Sequence, residues 1–331
     1  MKKALFTLSG LMILAVSCKK NENTAAIEDN SAPETISRMC ASDEVLKKQI
    51  MEDPKRGQRL EEIETNTQLF VKQPNALNRT TKYYVPVVVH VVLPNSAQVT
   101  DAQINSQIDV LNKDFNKTNV ELSNSNVYLA GYPIGSVANA NIEFYVSSIV
   151  RKNSTVSTFG SNDNVKRTAN GGSSPVDPTQ KLNMWVCDLS SGLLGYAQFP
   201  GGNSATDGVV IDYQAFGLRS VATYPMYSVF NLGRTATHEV GHWFNLRHIW
   251  GDMRCGNDQV TDTPPHDASN GGCPSVTHKS RCSGKPFEQW MNYMDYTNDA
   301  CMYMFTNGQL ARMEASMALS TGRYNYMDTS K

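Results

Sequence analysis

The stretch HEVGHWFNLRH, residues 238–248, constrains the fold more than any other part of the chain. His238 and His242 stand one helical turn apart, so on an α-helix both imidazoles lie on one face and reach a single metal ion at about 2.0–2.1 Å. Glu239, beside the first of them, lies close to the same ion without binding it. His248 is too far round and too far along to join from the same helix, so the chain has to turn back after His242. That turn needs a residue that accepts positive φ. Asn245 stands there, and Asn is among the non-glycine residues that tolerate the left-handed region best.

Three imidazoles leave one coordination position open. Structural zinc sites are closed by four protein donors and favour cysteine, so this pattern points to zinc catalysis rather than to a zinc staple. Zinc lowers the pKa of water towards 7 and polarises a carbonyl, while Glu239 takes the water's proton and delivers it to a leaving nitrogen. Thirty Lys plus Arg against 31 Asp plus Glu leave a formal charge of -1. No general field then draws nucleic acid or an anionic membrane surface, and the partner is a protein or peptide substrate met at the site.

The chain opens with MKKALFTLSGLMILAVSC: Lys2 and Lys3, an apolar stretch over 4–16, and small residues before Cys18. This is a secretion signal, too short to span a bilayer. Ser17 followed by Cys18 resembles the bacterial lipoprotein signal, in which the cysteine becomes lipidated. Contact with a membrane is expected only through Cys18. Residues 19–37 are too polar to offset their chain entropy by burial and read as a tether.

Helical spacing of apolar residues predicts short helices at 43–53 and 56–70, with Pro54 between them, then a polar stretch through Arg79 and Thr80. From Tyr83 the pattern changes. YYVPVVVHVVL is a β-branched run expected of a buried strand, and TDAQINSQIDVLNKDFNK is an amphipathic helix with Ile104, Ile108, Leu111 and Phe115 on its stripe. Further strands are expected at 141–150, 181–189, 195–199 and 208–213. A helix begins after Gly233 and runs into the metal motif, and a last one covers about 309–319. The class is α+β.

HEVGHWFNLRHIWGD, with MNYMDYTNDACMYMFTNGQ downstream, resembles the pappalysin family of metzincin metallopeptidases in its bacterial cytophagalysin and ulilysin-like branch. Asn245 stands where that family has Gly. The resemblance covers about residues 80–320. It implies a zincin-like catalytic domain, with a mixed twisted sheet, a backing helix, an active-site helix and an irregular, disulfide-bonded C-terminal subdomain. Met294 corresponds to the Met-turn methionine beneath the zinc, and Tyr296 to the tyrosine that helps to stabilise the tetrahedral intermediate. LLGYAQFP resembles the edge strand along which metzincins align an extended substrate, a mode that binds peptides through main-chain bonds.

Seven cysteines in an exported chain suggest disulfides plus leftovers. Cys255, Cys273, Cys282 and Cys301 allow three pairings; the resemblance implies Cys255 with Cys282 and Cys273 with Cys301. Cys187, in NMWVCDL, reads as a buried thiol. Cys40, in SRMCASDEV, resembles the family's prosegment cysteine, with Ala41 and Ser42 in place of the usual Gly and Thr. It implies a fourth zinc ligand that holds the precursor latent. Some relatives prefer basic residues at the cut, and Asp299 would supply an acidic pocket floor. Family members also bind calcium, for which Asp258, Thr261 and Asp262 of GNDQVTDTP are the candidates.

The expected organisation is a signal at 1–18, a tether and inhibitory prosegment at 19–80, and a protease domain at 81–331 released by cleavage near Arg79. The product is a monomeric zinc metalloendopeptidase, exported as a membrane-anchored lipoprotein or freed outside the cell. No long secretion domain follows Tyr324, so export beyond an outer membrane has no sequence signal. Two rivals are a catalytically silent lipoprotein that binds a partner and a zinc hydrolase for a non-peptide substrate. The intact set His238, Glu239, His242, His248 and Tyr296 argues against the first, and the edge strand against the second.

Overall fold

The computed structural model describes residues 37–123, 132 and 134–331; the signal, Cys18 and nearly all of the tether lie outside the described residues. The chain begins with two helices, α1 (Ser42–Glu52) and α2 (Pro54–Val71). Pro54 occupies the first turn of α2, where its missing N–H costs nothing, and the Asp53 side chain accepts from Lys55 N to cap that turn.

Strand β1 (Tyr83–Leu93) lies inside the sheet, with β2 (Ile142–Asn153) and β3 (Leu182–Cys187) parallel to it on either side. Helix α3 (Asp101–Phe115) makes the crossover from β1 to β2 and starts at Thr100, whose hydroxyl accepts from Gln103 N at 3.2 Å. Strand β5 (Val209–Asp212) continues the parallel sheet beyond β3, and β4 (Gly195–Ala197) closes its edge antiparallel to β5. The order is β2-β1-β3-β5-β4.

Both faces of the sheet are covered, which is why β1 reads as a continuous apolar run rather than an alternating one. Successive residues feed two cores. Val89, Met184, Val186, Val209 and Ile211 pack with α3 and with helix α4 (Arg234–Trp243), whereas Val92, Trp185, Cys187, Tyr196 and Val210 face the other way, where Val45 of α1 joins them. The first segment of the described chain thus belongs to the same compact unit as the sheet.

Between Phe244 and Thr306 the described chain forms no α-helix and adds no strand to the sheet. Two disulfides, Cys255–Cys282 and Cys273–Cys301, close this region across 27 and 28 residues. Loop entropy makes each worth about 3–4 kcal/mol. Helix α5 (Asn307–Ala318) follows, started by a reciprocal cap between Thr306 and Gln309. Among the described residues no helix is long and apolar enough to cross a membrane.

Candidate metal centre

Helix α4 is buried along its whole length, so its two histidines are fixed by packing rather than left to solvent. Arg234 anchors its first turn to Asp114 and Glu121, at 3.1 and 2.8 Å, and Thr237 bonds Asp114 at 2.6 Å. Gly241 faces Met294, and a Cβ at that position would come within 2.5 Å of Met294 Sδ. Only glycine lets the methionine turn approach the helix beneath the imidazoles.

The helix ends as its sequence requires. Asn245 has φ 74°, Asn245 N donates to His242 O at 2.9 Å, and Leu246 N reaches back to Gly241 O at 3.0 Å. This paired closure around one left-handed residue is the Schellman motif, and it sends the chain back so that His248 meets the other two. The buried Asn245 amide nitrogen has no protein acceptor. Asn245→Gly is therefore expected to be neutral or slightly stabilising, whereas Asn245→Val should cost about 1–2 kcal/mol from the left-handed strain. Thermal unfolding checks both; a neutral valine variant would contradict the role given to the turn.

Each imidazole offers its Nδ1 to a fixed acceptor: His238 to Tyr293 O at 2.7 Å, His242 to Leu246 O at 2.8 Å, and His248 to the Asp252 carboxylate. With the proton assigned to Nδ1 by these acceptors, all three Nε2 atoms carry lone pairs. They converge, His242 Nε2 lying 3.1 Å from His238 Nε2 and 3.1 Å from His248 Nε2. Ligands at zinc distance in a tetrahedron are about 3.3 Å apart, so three mutually repelling lone pairs at this spacing fit a zinc ion. Burial, then mutual repulsion, holds His238 well below the usual range and His242 down to about 3. Both stay neutral, the state in which an imidazole can bind a metal. Trp250 stacks on His248 with centroids 4.3 Å apart.

Cys40 completes a cluster in which the sulfur and the three histidine nitrogens all lie within 4.8 Å of one another; it is the one such cluster of His, Cys, Asp or Glu among the described residues. Cys40 Sγ is 3.4 Å from Glu239 Oε2 and 3.1 Å from Ser42 Oγ, and Ser42 Oγ donates to Glu239 at 2.9 Å. Burial pushes the Glu239 carboxyl up to about 8, against these two hydrogen bonds and the charge of Arg38. The Tyr296 hydroxyl donates to Cys40 O at 3.2 Å, accepts from Cys40 N at 3.3 Å, and lies 3.2 Å from His248 Nε2.

Residues 39–42 run along the edge strand. Leu194 N donates to Met39 O at 2.9 Å, Ala41 N to Gly195 O at 3.1 Å, and Ala197 N to Ser42 Oγ at 2.8 Å, in parallel pairing. A Cβ on Gly195 would meet Glu239 at 2.8 Å, so the glycine leaves room for that carboxylate behind the strand.

Asp299 is wholly buried and holds Arg38 at 2.5 Å, while its other oxygen accepts from Leu232 N at 2.8 Å. Arg38 also reaches Thr235 at 2.9 Å and lies over the Phe230 ring. The calcium candidates do not share a centre of this kind. Asp258 turns onto Thr263 and Val260 N, Asp262 holds Thr306 and Gly308 N at the start of α5, and Thr261 is exposed, so the acidic oxygens already serve protein donors.

Sequence reasoning missed Asp252, Ser42 and the partnership of Arg38. Asp252 had a signal, since it stands four residues beyond a candidate ligand, a spacing at which a carboxylate can orient an imidazole. Cys187 is a buried free thiol.

A helix bearing two imidazoles, a left-handed reversal returning a third, and a buried methionine turn beneath them, all set under a mixed sheet, define an α+β metzincin zinc metalloendopeptidase. Residues 166–318 match the model of the peptidase family described as Pregnancy-associated plasma protein-A. An extracellular metalloprotease of Verticillium alfalfae is 31% identical over 243 residues, 70% of this chain and 76% of that one. One of Neurospora crassa is 32% identical, covering 69% and 73%. A variant of Tannerella forsythia promirolysin has a TM-score of 0.76 at 38% identity, covering 87% of this chain and 97% of that one. Mature mirolysin in complex with a cleaved peptide has a TM-score of 0.69 at 43% identity, covering 75% and 96%. The chain belongs to the pappalysin family of metallopeptidases, acts on protein or peptide substrates and is made as a precursor.

Proposed function

We propose that this chain is the latent precursor of an exported endopeptidase that cuts extended polypeptides beside basic residues, with His238, His242 and His248 as zinc ligands and Cys40 as the switch. The observation that carries the reading is the course of residues 38–42: a peptide of the chain itself, paired with the edge strand, with an arginine in the Asp299 pocket and a cysteine sulfur among the three imidazoles. A substrate would use the same strand, and its basic side chain the same carboxylate.

Bound zinc would supply the Lewis acidity that polarises a scissile carbonyl and acidifies water. Glu239, once Ser42 has left it, takes the proton of the attacking water and passes it to the leaving nitrogen. Tyr296, freed from Cys40, donates to the carbonyl oxygen as charge develops there. Met294 supports the ligand helix from below, and Asp252 keeps His248 in the tautomer that presents Nε2.

The proposed boundaries are 1–18 for the signal, 19–80 for tether and inhibitory prosegment and 81–331 for the protease. Residues 73–78 are exposed apart from Ala76, whereas Arg79 is held by Glu314 at 2.8 Å and stacks on Tyr83, so the chain is first to be severed in the turn before Arg79, ahead of the boundary at 80, and the remaining residues up to 80 are trimmed afterwards. Export rests on the first eighteen residues and on relatives named extracellular, and attachment through Cys18 on the sequence pattern alone. Once activated, the protein is expected to work as a monomer.

The test is mass spectrometry of peptides released from a denatured protein, with and without a chelator. Cuts should cluster beside Arg and Lys and vanish with the metal. Asp299→Asn should lower kcat/KM for those sites by about 10- to 100-fold, the worth of a charge-assisted bond. Cuts indifferent to basic residues in both proteins would remove the pocket from the account.

A further inference from the structure

Arg312, on α5, is 1% exposed, and its charge is met by a carboxylate from the prosegment: Glu64 of α2 bonds both terminal nitrogens, each at 2.8 Å. Asn245 O at 3.3 Å and Gln259 O at 3.4 Å aim the guanidinium, and Arg247 stands 3.8 Å from the same carboxylate. Burial alone would push the Glu64 carboxyl up, but the bonds and charge of Arg312, with Gln68 and Arg247, hold it down to about 2. On the same helix Arg56 donates to Phe199 O at 3.1 Å and Arg59 to Gly201 O at 2.9 Å, while a Cβ on Gly201 would meet Ile63 at 2.6 Å.

None of these contacts runs through the chain connection at 73–78. Cutting that connection leaves every one of them in place and removes only the high effective concentration of a tethered segment. Departure of the segment, by contrast, breaks the bidentate pair between Glu64 and Arg312 and returns both charges to water.

Resting on the reading of residues 19–80 as a prosegment, we propose that Arg312 and Arg247 form the charged centre of a docking site for helix α2, and that this site keeps the excised prosegment bound after the chain is cut. The partner is an amphipathic helix that presents one carboxylate to Arg312 and two arginines to the carbonyls of the 199–201 turn. Activation then has two stages, severing of the 73–78 turn and loss of the segment from this site. The second stage is governed by Glu64.

The experiment uses the full chain carrying Glu239→Ala, to prevent self-digestion, with a recognition sequence for a specific protease placed in the exposed turn at 73–78. After cutting, the two pieces should co-elute on gel filtration at micromolar concentration. In the same background Glu64→Ala should weaken their association by at least about 30-fold, as expected for truncating one partner of a largely buried charge pair. Glu64→Gln should weaken it as well, and Glu62→Gln, an exposed neighbour, should not. Immediate separation of the parent pieces, or an affinity within threefold of the parent for both Glu64 variants, would overturn the proposal. If Glu64→Ala precursor does not fold, the glutamine variant decides. Because the readout is association and not hydrolysis, failure here leaves the protease reading standing, and the reverse also holds.

Discussion

Glu239→Gln is expected to bind zinc with full stoichiometry and to lose peptidase activity by about 10²- to 10⁴-fold, the range over which a positioned base contributes. Gln has the shape of Glu, and the side chain sits in a space already shaped around it, between Ser42 Oγ at 2.9 Å and the glycine of the edge strand. The amide still accepts from Ser42, so the precursor should fold as before. What the amide lacks is a lone pair basic enough to take a proton from water. Zinc content is the necessary control, because the three Nε2 atoms that converge do so without Glu239. A variant with one zinc and near-parental turnover would show that the base lies elsewhere.

Cys40→Ala should shorten the lag before self-activation, and Cys40→Ala with Ser42→Ala should shorten it further. Both side chains bond Glu239, but only Cys40 reaches the imidazoles and only Ser42 the edge strand. Cys40 sulfur lies among the imidazole nitrogens, and Ser42 hydroxyl donates to Glu239 and accepts from the amide of Ala197. Arg38 in the Asp299 pocket remains a third anchor, so neither change should free the cleft completely. An anchor worth about 3 kcal/mol shifts the open fraction of a closed cleft by roughly 100-fold, which a time course of precursor conversion resolves easily. If the double variant converted at the parental rate, latency would have to rest on Arg38 and the docking of α2. That outcome would direct attention to Glu64.

The two changes differ in where they act. On the proposed reading, the Glu239→Gln change would remove a step of the chemistry and leave the precursor's contacts in place, whereas loss of Cys40 and Ser42 would alter only how long the cleft stays covered. Measured together, they separate a protein that cannot cut from one that cuts too soon.

By itself the sequence determined the elements and the metal motif, because both are written in local spacing. The interval from His238 to His242 sets both rings on one face of any helix, and Asn245 supplies the reversal wherever the helix ends. The β-branched run from Tyr83 and the stripe Ile104, Ile108, Leu111, Phe115 specify a strand and a helix by periodicity alone, with ends displaced by a residue or two where caps at Thr100 and Asp53 decide. Only the tertiary structure decided which distant charges meet. Arg38 finds Asp299 across 261 positions and Glu64 finds Arg312 across 248, and no period or propensity couples residues so far apart. Such pairs are chosen when the sheet and its helices have packed and a buried charge must take whatever counter-charge the packing brings within reach. For the same reason Asp258 and Asp262, which as a string of oxygens suggested a cation, turned instead to the hydroxyls and amides beside them.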